Sequence, residues 1–194
     1  MPKTKFQEAV DASTSRRAQG VNKHTVSDGT TTALAQVAGI LHQNANSQST
    51  TAVGLIGTTV YIARQGGNPD LNAYYWTLLN AFGPNYTFVN VNQTVKGETG
   101  LHAEMMVIRY IVEQQNVAKG LLGACLKLGV TKGCCLDCAG WLNTHGIPHN
   151  TPPDDEEAKA SNQWVHPLTG AVYMGNKTLN YYRKGSTSLG MYSG

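Results

Sequence analysis

Apolar positions along the chain follow two different periods, and their alternation predicts helices packed on a sheet. Residues 4 to 18 and 31 to 42 carry helical spacing, the second with Ala33, Leu34, Val37, Ala38 and Leu41 on one face behind a capping stretch, "VSDGTT". Both helices are expected to cover one face of a sheet. The polar tract "QNANSQSTT" (43 to 51) reads as a connector. "AVGLIGTTVYIARQGG" then reads as a β-hairpin, with Val53 and Leu55 alternating on one arm, Val60 and Ile62 on the other, and Gly57-Thr58 fitting a type II′ turn.

The same logic predicts a helix over 71 to 83 and a half-buried strand over 86 to 92. From Leu101 to about Gln115 a helix is apolar around most of its circumference, with Leu101, Met105, Ile108 and Val112 on one face and Val107 and Ile111 beside it. Such a helix is buried. Residues 119 to 133 read as a strand that delivers Cys135 to the start of a helix, which runs to Thr144 before "HGIPHNTPP" ends it. Next, "DDEEAKASNQW" opens with acids suited to the positive end of a helix, and "WVHPLTGAVYMG" reads as a turn between extended segments.

With 194 residues the chain suits a single domain with its own core. An apolar fraction of 41% against 14% charged residues describes a globular chain, and a net charge of +3 permits an anionic partner without demanding one. No apolar run approaches the roughly 18 residues of a membrane span, and "MPKTKFQEAV" lacks the apolar core of a signal peptide. A cytoplasmic location is the expectation, or delivery into a target cell as part of a longer protein. Arg16, Arg17, Lys132, Arg183 and Lys184 are scattered, so no basic groove is legible.

The cysteines change the picture. Cys134, Cys135 and Cys138 fall within five positions and Cys125 lies nearby, a clustering that favours a metal site or redox chemistry over a disulfide framework. Cys135 and Cys138 have C-x-x-C spacing at a helix start, and His102 and Glu104 stand two apart at the start of the buried helix. Together they offer one imidazole and two thiolates. Zinc accepts such a set in tetrahedral geometry, and three protein ligands leave a fourth position for water. Helix N-termini favour thiolate over thiol, and Glu104 is placed to carry protons between water and a substrate.

"HAE" followed by "CLDC", 33 residues from His to first metal Cys, resembles the zinc deaminase signature H-x-E…P-C-x-x-C. The resemblance extends over roughly residues 30 to 145 and implies an α/β fold of the cytidine deaminase-like, three-layer type, with a central mixed sheet of about five strands flanked by helices. It implies Zn2+ held by His102, Cys135 and Cys138, with Glu104 as the catalytic proton shuttle. "RQGGNP" resembles the deaminase turn in which an Asn contacts the substrate sugar, which makes Asn68 a substrate-binding candidate beside the alternative of an Asn-Pro turn former. Ala103, between the metal His and the acid, is a further candidate. Cys134 stands where the family has Pro, either altering the loop beside the base or filling space as a small buried residue. Trp141, one turn after Cys138, is a candidate pocket wall, and His145 and His149 are placed near the pocket mouth, where an exposed loop histidine is the default reading.

The chain is thus read as one deaminase domain with a helical extension at 1 to 48 and an insertion at 69 to 99. Tyr74, Tyr75, Trp76, Phe82, Tyr86 and Phe88 fall in the insertion and are either core or base-stacking residues. By resemblance to the deaminase domains of bacterial polymorphic toxins, the expected activity is conversion of cytosine to uracil in single-stranded DNA or RNA, with an immunity protein as a possible partner. Free cytidine, deoxycytidine or adenine as substrate is the alternative. A non-catalytic binding module, with Cys134 or Cys125 as a fourth zinc ligand, is the reading of a different class.

Overall fold

The computed structural model describes residues 29–43, 49–150 and 163–174. Its frame is a four-stranded mixed sheet in the order β3-β2-β1-β4, made of β1 (Thr51–Ile56), β2 (Thr59–Arg64), β3 (Thr87–Asn90) and β4 (Lys127–Val130). β1 runs antiparallel to both β2 and β4, with Val53 opposite Ile62 on one side and Gly129 on the other, while β3 adds to β2 in parallel. The sheet is one strand smaller than the expected five among the described residues. A separate antiparallel pair, β5 (Gln163–Val165) and β6 (Val172–Met174), flanks a turn, as the sequence predicts.

The hairpin forms as read. Gly57 has φ of +55° and Thr58 does not share a positive φ, which fits a type II′ turn. Because side chains alternate across a strand, β1 and β2 feed two separate cores. Val53, Leu55, Val60 and Ile62 join Leu34, Val37 and Leu41 of α1 (Gly29–His42) and Leu78 and Phe82 of α2 (Tyr75–Phe82). Ala52, Tyr61 and Ala63 face the other way, onto Met105, Ile108 and Ile111 of α3 (Ala103–Gln114) and Trp141 and Leu142 of α5 (Leu136–Thr144). Helices therefore cover both faces of the sheet. Each fully buried aliphatic side chain contributes on the order of 1.5–3 kcal/mol of transfer free energy to this arrangement.

Several boundaries differ from the sequence reading, each for a local reason. The strand expected over 119 to 133 is confined to Lys127–Val130, and Lys119–Leu121 and α4 (Leu122–Cys125) are helical turns. That stretch has no β-branched or aromatic residue before Val130, so nothing favours an extended backbone earlier. β3 ends at Asn90 because the Asn90 side chain accepts a hydrogen bond from Asn92 N at 3.1 Å and turns the chain into a 3-10 turn, Val91–Gln93. The predicted helix over 4 to 18, the cap at "VSD" and the acidic stretch at 154 to 157 lie outside the described residues.

Residues 69–99 complete the sheet edge. Asn92 replaces a strand partner for the end of β2: its Oδ1 accepts from Arg64 N at 2.8 Å, and its Nδ2 donates to Arg64 O at 2.8 Å and Gly67 O at 2.7 Å. Among the helices described, none is long and apolar enough to cross a membrane.

Two tests follow from this packing. α1 crosses β4 so closely that a Cβ at Gly129 would collide with Leu34 and the backbone of Ala35, whereas one at Gly39 would meet nothing within 4 Å. Gly129→Ala is expected to destabilise by about 1–3 kcal/mol or more in urea unfolding, and Gly39→Ala to be neutral or stabilising by up to about 1 kcal/mol. Equal effects at the two positions would contradict the close crossing. The second test concerns acid. His149 is buried with Nε2 3.0 Å from Asn143 Oδ1, and its backbone bridges to Leu128. Burial lowers its pKa from 6.5 to about 4. The unfolded chain therefore binds this proton more readily, so the stability contribution is complete above about pH 6.5 and is lost as pH falls towards 4. Removing the group by His149→Gln should flatten the acid loss by at most about 3 kcal/mol; an unchanged pH profile of unfolding would contradict its buried, neutral state.

Candidate metal centre

His102 and Cys135 occupy matching places at the starts of two helices. His102 is the extended residue before α3, with φ −75° and ψ 158°, and Cys135 caps α5 with φ −62° and ψ 163° while its Sγ accepts from Cys138 N at 3.4 Å. Gly100, at φ +86°, turns the chain into the first of these starts. Cys138 then comes round one helical turn to the same side as Cys135. His102 Nδ1 consequently lies 3.3 Å from both sulfurs.

The ligand atoms of His102, Cys135 and Cys138 all lie within 4.8 Å of one another, so the three can hold one metal ion. A tetrahedral zinc with Zn–S of about 2.3 Å and Zn–N of about 2.0 Å sets sulfur and nitrogen roughly 3.5 Å apart. The observed separations need little adjustment. Cys125, Cys134 and Glu104 are not part of this group. Cys134 is buried in the core beside it, and the Cys125 sulfur faces Leu122 O at 3.9 Å.

Electrostatics within the group favour a bound cation. Burial opposes charge on His102, but the hydrogen bond with Cys135 and the charges of Cys135, Glu104 and Asp137 outweigh it and raise its pKa to about 9. The hydrogen bond with Cys138 lowers Cys135 from 9.0 to about 6, assisted by His102 and opposed by burial. Cys138 itself is pushed up, first by burial and then by its neighbour Cys135. A metal ion placed among these donors replaces the protons they share.

Glu104 and Asp137 sit in the first turns of the two helices, at 2% and 0% exposure. Glu104 Oε2 has no hydrogen-bond partner among the described residues. A buried carboxylate oxygen left in that condition costs free energy unless something else serves it. Its charge acts on His102, Cys135 and Cys138 alike, so the acid stands beside the donor group without entering it.

The other sequence candidates have different places. Ala103 is fully buried in the first turn of α3. Trp141 is fully buried, its ring stacks on His145 at 3.9 Å, and its Nε1 donates to His166 Nε2 at 3.2 Å. His145 and His149, expected as exposed loop residues, are half-buried and buried respectively. Asn68 Oδ1 accepts from Asn90 Nδ2 at 2.9 Å, tying the hairpin end to β3. It also lines an open cleft of about 450 Å³ with Asn72, Phe88, Asn90 and Gln93, whose walls do not include the His-Cys-Cys group. Within residues 69–99, Phe82 is core, whereas Tyr75 and Trp76 are 48% and 74% exposed.

Sequence reasoning missed Trp164, whose indole Nε1 donates to Cys138 Sγ at 3.2 Å. It lies 26 residues beyond Cys138 on a strand of three residues, and no motif marks it.

The geometry predicts one Zn2+ or Co2+ per chain, lost in His102→Ala and Cys135→Ala and retained in Cys125→Ser and Glu104→Ala. Metal analysis after gel filtration checks this. Full occupancy in Cys135→Ala, or loss in Cys125→Ser, would contradict the assigned ligand set. No family model, curated protein or solved structure matches the chain, so the chemistry of the site rests on its own geometry.

Proposed function

We propose that the protein is a zinc-dependent hydrolytic deaminase of the cytidine deaminase-like, three-layer fold, converting cytosine to uracil in single-stranded nucleic acid. The observation that carries this reading is a three-donor group with a buried carboxylate beside it: His102, Cys135 and Cys138 within 4.8 Å, and Glu104 with an unserved oxygen. Three donors are one fewer than a closed structural zinc site uses. Supporting it is the order of elements: a hairpin, a helix opening on H-x-E, a strand beside the hairpin, and a helix opening on C-x-x-C.

Zinc held by this set would supply an acidified water as the nucleophile. His102, Cys135 and Cys138 fix the position, and the two helix N-termini add positive potential around developing negative charge. Glu104 would take one proton from water and pass it to the ring nitrogen, then take the proton of the added hydroxyl and pass it to the departing amine, so that both protons come from the one water. In balance, cytosine and water give uracil and ammonia. Trp164 and Cys138 are both fully buried, so the Cys138 sulfur is shielded from bulk water.

A polymer, unlike a free nucleoside, is long enough to reach exposed aromatics away from the metal group, and Tyr75 and Trp76 are such residues on α2, the helix packed on the sheet face opposite α3 and α5. Their ring centroids lie 5.7 Å apart at 69°, edge to face, and each exposed ring offers a face on which an unpaired base can stack. Reading a base in a duplex requires unstacking, so single strands are the cheaper substrate. An origin as a toxin domain with an immunity partner belongs to this same reading.

Intact protein and Glu104→Ala would be incubated with single-stranded DNA, single-stranded RNA, duplex DNA, free cytidine and adenine-containing oligomers, and base changes read by sequencing and mass spectrometry. Uracil formed in a single-stranded polymer by the intact protein, with at least about a 1,000-fold loss in the zinc-loaded variant, is the expected outcome. Conversion of free cytidine alone would replace the proposal with a salvage enzyme, and conversion of adenine would change the base. Silence on every substrate with metal bound would favour a binding module.

A further inference from the structure

Trp164 and Cys138 are both fully buried, and the indole N–H of one points at the sulfur of the other at 3.2 Å. A buried N–H needs an acceptor, and a thiolate is a strong one. The contact is held from outside the metal helices. Val165 N donates to Gly100 O at 2.9 Å and Gln163 Nε2 donates to Thr99 O at 3.1 Å, so the strand bearing Trp164 is pinned to the turn that precedes His102. Gly100 permits this approach, because a Cβ there would meet the Gln163 backbone at 3.1 Å.

Two further contacts fix the ring. Trp164 packs against His166 at 5.7 Å and Tyr173 at 5.6 Å, and Arg109 of α3 donates to Pro167 O at 2.8 Å while pairing with Glu98 at 2.8 Å. The β5–β6 unit is thereby anchored to the helix that carries His102. Of the two sulfurs in the donor group, Cys135 takes a hydrogen bond from its own helix backbone, whereas Cys138 takes one from a distant element.

We infer that Trp164 is a positioning residue for the metal centre, which sets the charge and orientation of the Cys138 thiolate through its indole N–H and couples docking of the β5–β6 unit to metal affinity. This rests on the reading of His102, Cys135 and Cys138 as metal ligands. A hydrogen bond to a ligating sulfur draws electron density from it, so the metal is left more electron-poor than with a bare thiolate, and the sulfur is held in one direction.

Trp164→Phe keeps a ring in the core and deletes only the N–H. The expected results are a 10- to 100-fold loss of Zn2+ affinity in chelator competition, on the order seen for ligand-supporting groups, and a shift of the sulfur-to-metal charge-transfer band of the Co2+-loaded protein to longer wavelength. Trp164→Leu should do the same at greater cost in stability. If wild type and Trp164→Phe bind metal with equal affinity and identical bands, the inference is overturned while the metal site stands. If wild type binds no metal, the underlying reading fails instead. Should the Phe variant not fold, the indole N–H resonances of the wild type decide: one buried indole proton must move on loading with Cd2+, and three unmoved indole signals would overturn the inference.

Discussion

His102 lies 3.3 Å from two cysteine sulfurs because two helices begin at the same place. That convergence sets requirements on the remainder of the chain. α3 must be buried along most of its length to be fixed against the sheet, and Met105, Ile108 and Ile111 supply that burial. β4 must end beside β1 for Cys135 to follow it to the correct level, and the Val53–Gly129 register sets where it ends. Gly129 also lets α1 lie close on the opposite face. The two cores therefore fix a single point from either side of the sheet.

Much of this frame could be read from residue patterns. α1, the hairpin, α3 and α5 follow from helical or alternating spacing with plain end signals, Gly57 among them. His102, Cys135 and Cys138 were legible because ligand chemistry is concentrated in few residue types and their spacing suits helix starts. Local pattern failed at 119 to 125, where Leu, Ala and Lys suit a helical turn as well as a buried strand, and sequence alone gives no arbiter. It failed for His149 for a different reason. A polar-tipped ring beside a site and one sealed in the core look alike until its neighbours are known, and here Asn143 receives the His149 ring nitrogen.

Long-range contacts outside the donor group were invisible. Trp164 reaches Cys138 across 26 positions, and Asn92 completes the hydrogen bonding of Arg64 across 28. Both act through one side-chain group whose value depends on where the backbone carries it. Residues 69–99 illustrate the consequence: composition showed a run of aromatics, yet Phe82 packs inward while Trp76 stands 74% exposed, six residues and fewer than two helical turns apart on the axis of one short helix. Only packing separates the two fates.

The central claim is that this chain holds one metal ion with three protein donors and leaves a position open for water. X-ray absorption on zinc-loaded protein tests it most directly, since sulfur and lighter donors scatter distinguishably. The account predicts two sulfurs at about 2.3 Å and two nitrogen or oxygen donors at about 2.0–2.1 Å, one of them exchangeable with small anions. Three or four sulfurs around the metal, or no bound metal in protein purified without chelator and supplied with zinc, would contradict it.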